Sequence, residues 1–226
     1  PDGGLTTYDF KPVSYRAEYG LDSGTITRIA NPDGSIVNRD WQSNFPREAP
    51  ISLGWANPWI RREWITNANA AGIPVATSLK AFTADKNGNT TSVAERAWVA
   101  YNASLPEPAA GALIRITENW YVNGAVDSAN TTDTTNTNAY SHASLPSPAT
   151  PRNLIESTET RNSSGGVVAR SQFNYSETSP ARMVGNLVAE YHWDSTKPGY
   201  AAISTRTQLS AANAIEKRYE YTARGN

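Results

Sequence analysis

The chain has 226 residues, a formal net charge of −1, 18% charged residues and no cysteine. Near-neutrality leaves no electrostatic footprint for nucleic acid or an anionic membrane surface. The lack of cysteine excludes disulfides, thiolate chemistry and zinc sites built on sulfur, and no run of 18 apolar residues exists to cross a membrane as a helix.

What fills the space left by charge is Thr, Ser and Asn, alongside 7 Trp and 11 Tyr. That mixture predicts a β-rich chain with polar, uncharged faces. Residues 1–14 open with turn formers, and Tyr8-Asp9-Phe10 alternates weakly before Pro12. Thr25–Ala30 has a period of two that places Ile26 and, with one slip, Ile29 inward. Asn31-Pro-Asp-Gly34 is a turn in which proline presets φ and glycine allows φ > 0. Ser35–Trp41 returns as the partner strand.

Residues 42–58 carry Pro46, Pro50 and Pro58 and read as a long irregular loop. Four tryptophans, Trp41, Trp55, Trp59 and Trp64, fall within 24 positions. One reading packs them under the loop against a sheet face, because each ring brings a large area to bury. Another presents them as an aromatic platform for sugar rings, which makes these four the candidate ligand-binding residues of a carbohydrate-binding β-module. A third uses them as a protein-contact patch.

Ile60–Ile65 is a strand and Asn67–Gly72 a turn, although Ala68–Ala71 could also make one helical turn. Ile73–Thr83 is extended, Asp85–Thr91 is a hairpin link around Asn87-Gly88, and Ser92–Tyr101 is the return. Ala112–Val122 forms a strand, followed by a second Asn-Gly signal at Asn123-Gly124. Ser128–Asn138 is low-complexity Thr/Asn that cannot bury an apolar face, and 139–151 is proline-stiffened. A third hairpin runs from Asn153 through Asn162–Gly166 to Tyr175. Leu209–Arg218 could make two turns of helix or enter the next strand.

Chemistry is sparse. There is no Walker loop, no dinucleotide fingerprint, no His-Glu-x-x-His and no Gly-x-Ser-x-Gly elbow. No cofactor is expected. The histidines are His142, beside the Thr/Asn tract, and His192 in Glu-Tyr-His-Trp. Both read as exposed or sheet-packed, and neither as a catalytic base. Asp85-Lys-Asn-Gly-Asn89 starts like a calcium loop, but Thr90 and Arg96 stand where Gly and Glu are needed, so it reads as a hairpin turn with no metal. Glu63, Glu95, Glu118 and Asp127 read as exposed strand or turn positions.

The last sixty residues show one unit repeated: a strand ending in aromatic-x-Tyr, a polar link ending in Gly-Asn, then another strand. Val167–Tyr175, Gly185–Lys197 and Ala214–Asn226 follow this order. The unit resembles the YD repeat of the Rhs family, usually Tyr-x-Tyr-Asp-x-x-Gly-Asn/Arg-Leu, with Ser176 and Thr222 standing here where that family has Asp. The resemblance covers 153–226 and reaches 15–41 and 73–101.

It implies an all-β fold of tandem antiparallel hairpins forming one continuous curved sheet, a segment of a β-shell spanning 1–226 with irregular loops at 42–58 and 128–152. The chain begins without Met and stops inside a repeat, so the expectation is a piece of a longer polypeptide. In relatives such a shell encloses a toxin or, in teneurins, forms a cell-surface barrel. The expected role is therefore structural and non-enzymatic, in a secreted or cell-surface protein. Its expected partners are the rest of its own polypeptide, neighbouring copies, an enclosed toxin or glycans.

Overall fold

The structure, a computed structural model, describes residues 4–11, 24–43, 58–84, 89–105, 107–121, 154–175, 186–199 and 209–220. Among them lie twelve strands and no helix. The first seven are β1 (Thr7–Phe10), β2 (Ile26–Ala30), β3 (Ile36–Ser43), β4 (Pro58–Ala68), β5 (Pro74–Ala84), β6 (Thr90–Arg96) and β7 (Val99–Ala100). Then come β8 (Leu113–Tyr121), β9 (Ile155–Asn162), β10 (Val167–Tyr175), β11 (Leu187–Trp193) and β12 (Ala214–Arg218).

The strands belong to one antiparallel sheet of lateral order β1-β2-β3-β4-β5-β6-β8-β9-β10-β11-β12, with β7 paired to β5. Apart from β7, lateral order follows chain order, each new strand being laid on the edge made by the one before it. The all-β class and the tandem antiparallel pairing are thus as the sequence predicts. The chain divides into two compact units, Pro1–Ile116 and Thr117–Asn226, with the boundary inside β8.

Three hairpin turns share one construction: Asn31-Pro-Asp-Gly34, Asn69-Ala-Ala-Gly72 and Asn162-Ser-Ser-Gly165. In each, the glycine N–H donates to the asparagine carbonyl at 2.9–3.0 Å, and the asparagine N–H donates to the carbonyl just after the glycine at 2.9 Å. The glycines have φ of 80°, 75° and 84°. This is a tight turn closed by a left-handed residue, which matches the twist of the flanking strands. Asn69 Oδ1 also accepts from the N–H groups of Ala71 and Ile73, and Asn162 Oδ1 from those of Ser164 and Gly166. The working signature of these hairpins is therefore Asn-x-x-Gly. The Asn-Gly pairs at 87–88 and 123–124 lie outside the described residues.

The one slip in the alternation of β2 is a β-bulge. Asp9 pairs Arg28 and Phe10 pairs Ile26, so Thr27 is the extra residue, and its hydroxyl donates to the Asp9 carbonyl at 3.2 Å. Elsewhere the boundaries shift modestly. The return strand expected over 92–101 is broken into β6 and β7, because Ala97 leaves β5 to bond Ala112 at 2.8 Å. Leu209–Arg218 is a turn at 211–213 followed by β12, not helix. Its 214–218 half pairs residue by residue with β11, and that ladder outweighs the local helix preference of an Ala-rich stretch.

Burial is shallow. In unit 1 the most enclosed positions are Thr77 (1% exposed), its cross-strand partner Thr66, and Ala84. In unit 2, the buried Leu209 donates its N–H to Oε1 of Gln172 at 3.2 Å, and Gln172 sits on the sheet face it shares with its partner Ser157. That face buries Ser157, Glu159, Arg170, Ala189 and Ala214. Cohesion rests on cross-strand pairs more than on a thick apolar core.

Candidate functional site

The four tryptophans do not converge. On β3 and β4 the register pairs Asn38 with Trp64, Asp40 with Arg62, Trp41 with Ile60 and Gln42 with Trp59. Alternation along β3 therefore puts Trp59 and Trp64 on the Asn38–Asp40–Gln42 face and Trp41 on the opposite one. Trp41 is half-buried and fixed there, its Nε1–H donating to the Ile26 carbonyl at 2.9 Å. Trp59 and Trp64 are also half-buried. The Arg62 guanidinium lies 5.9 Å from the Trp64 ring centre, a cation–π contact. Trp55 lies outside the described residues.

Beside Trp64 is a cluster that sequence reasoning missed. Between Asp40/Arg62 and Trp41/Ile60 the register shifts, leaving Arg61 as an extra residue. Neighbours on a regular strand point to opposite faces. The bulge instead lets both Arg61 and Arg62 reach one carboxylate. Arg61 Nε donates to Asp40 Oδ2 at 2.9 Å and Arg62 Nη2 to the same oxygen at 2.9 Å. Arg62 also donates to both oxygens of Glu107, at 2.8 Å from Nη2 to Oε1.

Burial alone pushes the Asp40 carboxyl up, but the two arginines outweigh it and hold it below the usual carboxylate range. Glu107 is likewise lowered, first by its hydrogen bonds from Arg62. Two guanidinium groups and two carboxylates neutralise one another, so the cluster presents paired charge and no reactive group. The only sequence signal for it is Arg61-Arg62, two adjacent charges inside a strand.

The opposite face of unit 1 carries a charged row. Arg39 pairs Glu63, Glu63 pairs Lys80, and Lys80 pairs Glu95. Arg115 Nη2 sits 3.0 Å from Glu95. The sign alternates through five strands, and Arg39 Nε meets Glu63 at 2.8 Å. Glu63 and Glu95 are thus ladder rungs, less exposed than their strand positions suggested (side chains 17% and 25% exposed).

In unit 2, His192 faces its cross-strand partner Ser171, with Oγ 2.9 Å from Nδ1. His192 Nε2 is 3.8 Å from Glu190 Oε1. These are the residue types of a nucleophile, base and orienting acid. The arrangement departs from that use in two ways. Glu190 Oε1 is already held by the Tyr219 hydroxyl at 2.9 Å and Lys217 at 3.4 Å, and the Tyr219 hydrogen bond chiefly lowers its pKa. The imidazole also lies half-exposed on a sheet surface, edge-on to Phe173. As built, the trio is a set of cross-strand contacts.

On the covered face, Glu159 and Arg170 pair directly, 2.6 Å apart, with the Arg170 guanidinium 5.1 Å from the Trp193 ring centre. Glu118 is 3.5 Å from Arg161, a second arginine that also bonds Glu159. Among the described residues no group of three or more His, Asp or Glu could hold a metal ion. His142, Asp127 and positions 85–88 of the calcium-like stretch lie outside those residues. No protein-family model matches the chain, and no curated protein matches it either.

Proposed function

We propose that this chain is a structural, non-enzymatic segment of a YD-repeat-like protein, exported or displayed at the cell surface. It serves there as part of a β-cocoon or an extracellular scaffold. The observation that carries the reading is the strand order: tandem hairpins whose lateral sequence in the sheet repeats their sequence in the chain. Such a build extends by adding units and yields a surface, with each strand engaged mainly with its neighbours. The polar clusters agree with that role, since their charges are consumed in pairs across strands. On this reading the partners are the remainder of the polypeptide, neighbouring copies and an enclosed toxin. The carbohydrate alternative is weaker, because its four tryptophans are divided between two faces or undescribed.

The test is to follow the natural polypeptide in cell fractions and to probe any cargo with protease. The expected result is recovery at the surface or in the medium, with cargo protected until the sheet is denatured. A polypeptide confined to the cytosol, or polysaccharide turnover abolished by Ser171→Ala, would overturn the reading.

A further inference from the structure

Between β7 and β8 the chain makes an excursion, residues 101–112, that belongs to no strand. Its start is fixed beside β5, where the Tyr101 N–H donates to the Val75 carbonyl at 3.0 Å. Its end is fixed twice. The Ala97 N–H donates to the Ala112 carbonyl at 2.8 Å, and Arg96 Nη1 donates to the Gly111 carbonyl at 3.2 Å. Between these ends the described residues are exposed, apart from the half-buried Pro108. The N–H groups of Ser104 and Leu105 bond back locally to Asn102. Among the described residues of 102–110, one side chain reaches another strand: both carboxylate oxygens of Glu107 accept from the Arg62 guanidinium on β4.

That tie sets the course of the excursion. It leaves the sheet next to β5, meets β4 at Arg62 and returns to Ala97, just past β6. It therefore passes over β5, on the face that Arg62 shares with Trp64 and Thr66 and with their partners Ala81, Leu79 and Thr77. The sequence prepares the tie, because Leu105-Pro-Glu-Pro108 sets a proline on each side of Glu107. Proline fixes its own φ and confines the residue before it to extended conformations, so Glu107 gives up little freedom when it pairs. A bidentate guanidinium–carboxylate pair is directional as well as strong. When Glu107 leaves, Arg62 still has Asp40, at 2.9 Å, so opening strands no unpaired guanidinium.

We propose that residues 101–112 are a strap across β5 and that the Arg62–Glu107 pair is its latch. With the latch closed, the strap is as rigid as the strands beneath it. With the latch open, 102–110 swings on its two fixed ends and bares the part of the face it crosses, while the β4–β5 ladder stays intact. A segment held by few buried contacts opens in this way at a small fraction of the cost of unfolding. The inference concerns unit 1 alone and stands apart from the functional reading above.

The test is backbone amide NMR relaxation at neutral pH on the 226-residue chain and on Glu107→Ala. The Glu107 side chain is 58% exposed, so its removal leaves no buried gap. In the wild type the amides of Ala103, Leu105, Ala109 and Ala110 are expected to have order parameters near those of rigid backbone, about 0.85. In Glu107→Ala they are expected to fall below about 0.6, with the amides of β4 and β5 unchanged, which also shows that the variant is folded. Order parameters that stay high in the variant overturn the proposal, because the strap is then held by something other than the latch. So do low values already present in the wild type, since no strap is then closed. A loss of order that spreads equally through β4 and β5 also overturns it, because the pair would then be holding the sheet itself.

Discussion

Glu159 and Arg170 stand directly opposite each other on β9 and β10, 2.6 Å apart, with side chains 4% and 8% exposed. Two charges so enclosed attract strongly but have both lost their water, so the net contribution of the pair is small. Removing one partner is a different matter, because the survivor stays buried. Glu159→Leu alone should cost about 3–5 kcal/mol. The double change Glu159→Leu with Arg170→Met should recover most of the loss. Urea unfolding followed by tryptophan fluorescence measures both, and a double variant as unstable as the single would show that the charges themselves are required.

The row Arg39–Glu63–Lys80–Glu95 makes a second prediction. Glu63 sits between two cations, so Glu63→Lys converts two attractive cross-strand pairs into two repulsive ones. Each pair on a sheet surface is worth roughly 0.2–1 kcal/mol, so the reversal should destabilise unit 1 by about 1–2 kcal/mol. Added salt should shrink the difference, because the rungs are only partly shielded from solvent. A loss that is independent of salt would point to packing around Glu63 instead of charge.

Much of this arrangement was legible before any coordinates. Period-two alternation marks Thr25–Ala30 as a strand, Asn31-Pro-Asp-Gly34 marks the turn after it, and Asn162–Gly166 marks the turn that leads into Val167–Tyr175, because these are local backbone preferences written into residue type. What stayed hidden depends on register. The sequence does not say that Arg61 is an extra residue, so it could not show that Arg61 and Arg62 share Asp40. Counting tryptophans grouped Trp41 with Trp64, although pairing with β4 puts them on opposite faces. Glu159 and Arg170 are polar residues on strands, and their sequence does not reveal that both are buried against each other across β9 and β10. The Ala-rich Leu209–Arg218 stretch keeps a helical option open in the sequence, and pairing of its 214–218 half with β11 removes it.

Acid should weaken the fold in a defined window. Asp40 is lowered despite its burial by Arg61 and Arg62, and Glu216 by hydrogen bonds from Arg218 and then Tyr191. A carboxylate whose folded pKa lies below its unfolded one binds fewer protons in the native state. Its stabilisation is complete above the unfolded value, near pH ~4, and is lost as pH falls through the folded value. Melting temperatures should therefore be flat from neutrality to about pH 5 and drop below about pH 4. Asp40→Asn should lower the neutral plateau and make the acid drop shallower. An unchanged acid limb in that variant would exclude Asp40 from the transition.

Two glycines separate steric need from conformational need. Gly165 has φ 84° and open space where a Cβ would go, so Gly165→Ala meets only the left-handed backbone penalty. That is about 1–2 kcal/mol per residue, and Gly165→Asn should be milder because asparagine tolerates this region. Gly111 has no positive φ, but a Cβ there would overlap the Ala97 carbonyl oxygen and lie 2.8 Å from its carbon. The obstacle is main chain, held by the Ala97 N–H bond to the Ala112 carbonyl, so it cannot rotate aside as a side chain would. Gly111→Ala should then cost more than Gly165→Ala, about 3 kcal/mol or above, with no relief from asparagine. Hydrogen exchange should show the extra loss at the Ala97 amide, which donates to the Ala112 carbonyl, and leave the Asn162–Gly166 turn protected. Equal costs at the two glycines would mean that β6 and β8 are not held this closely.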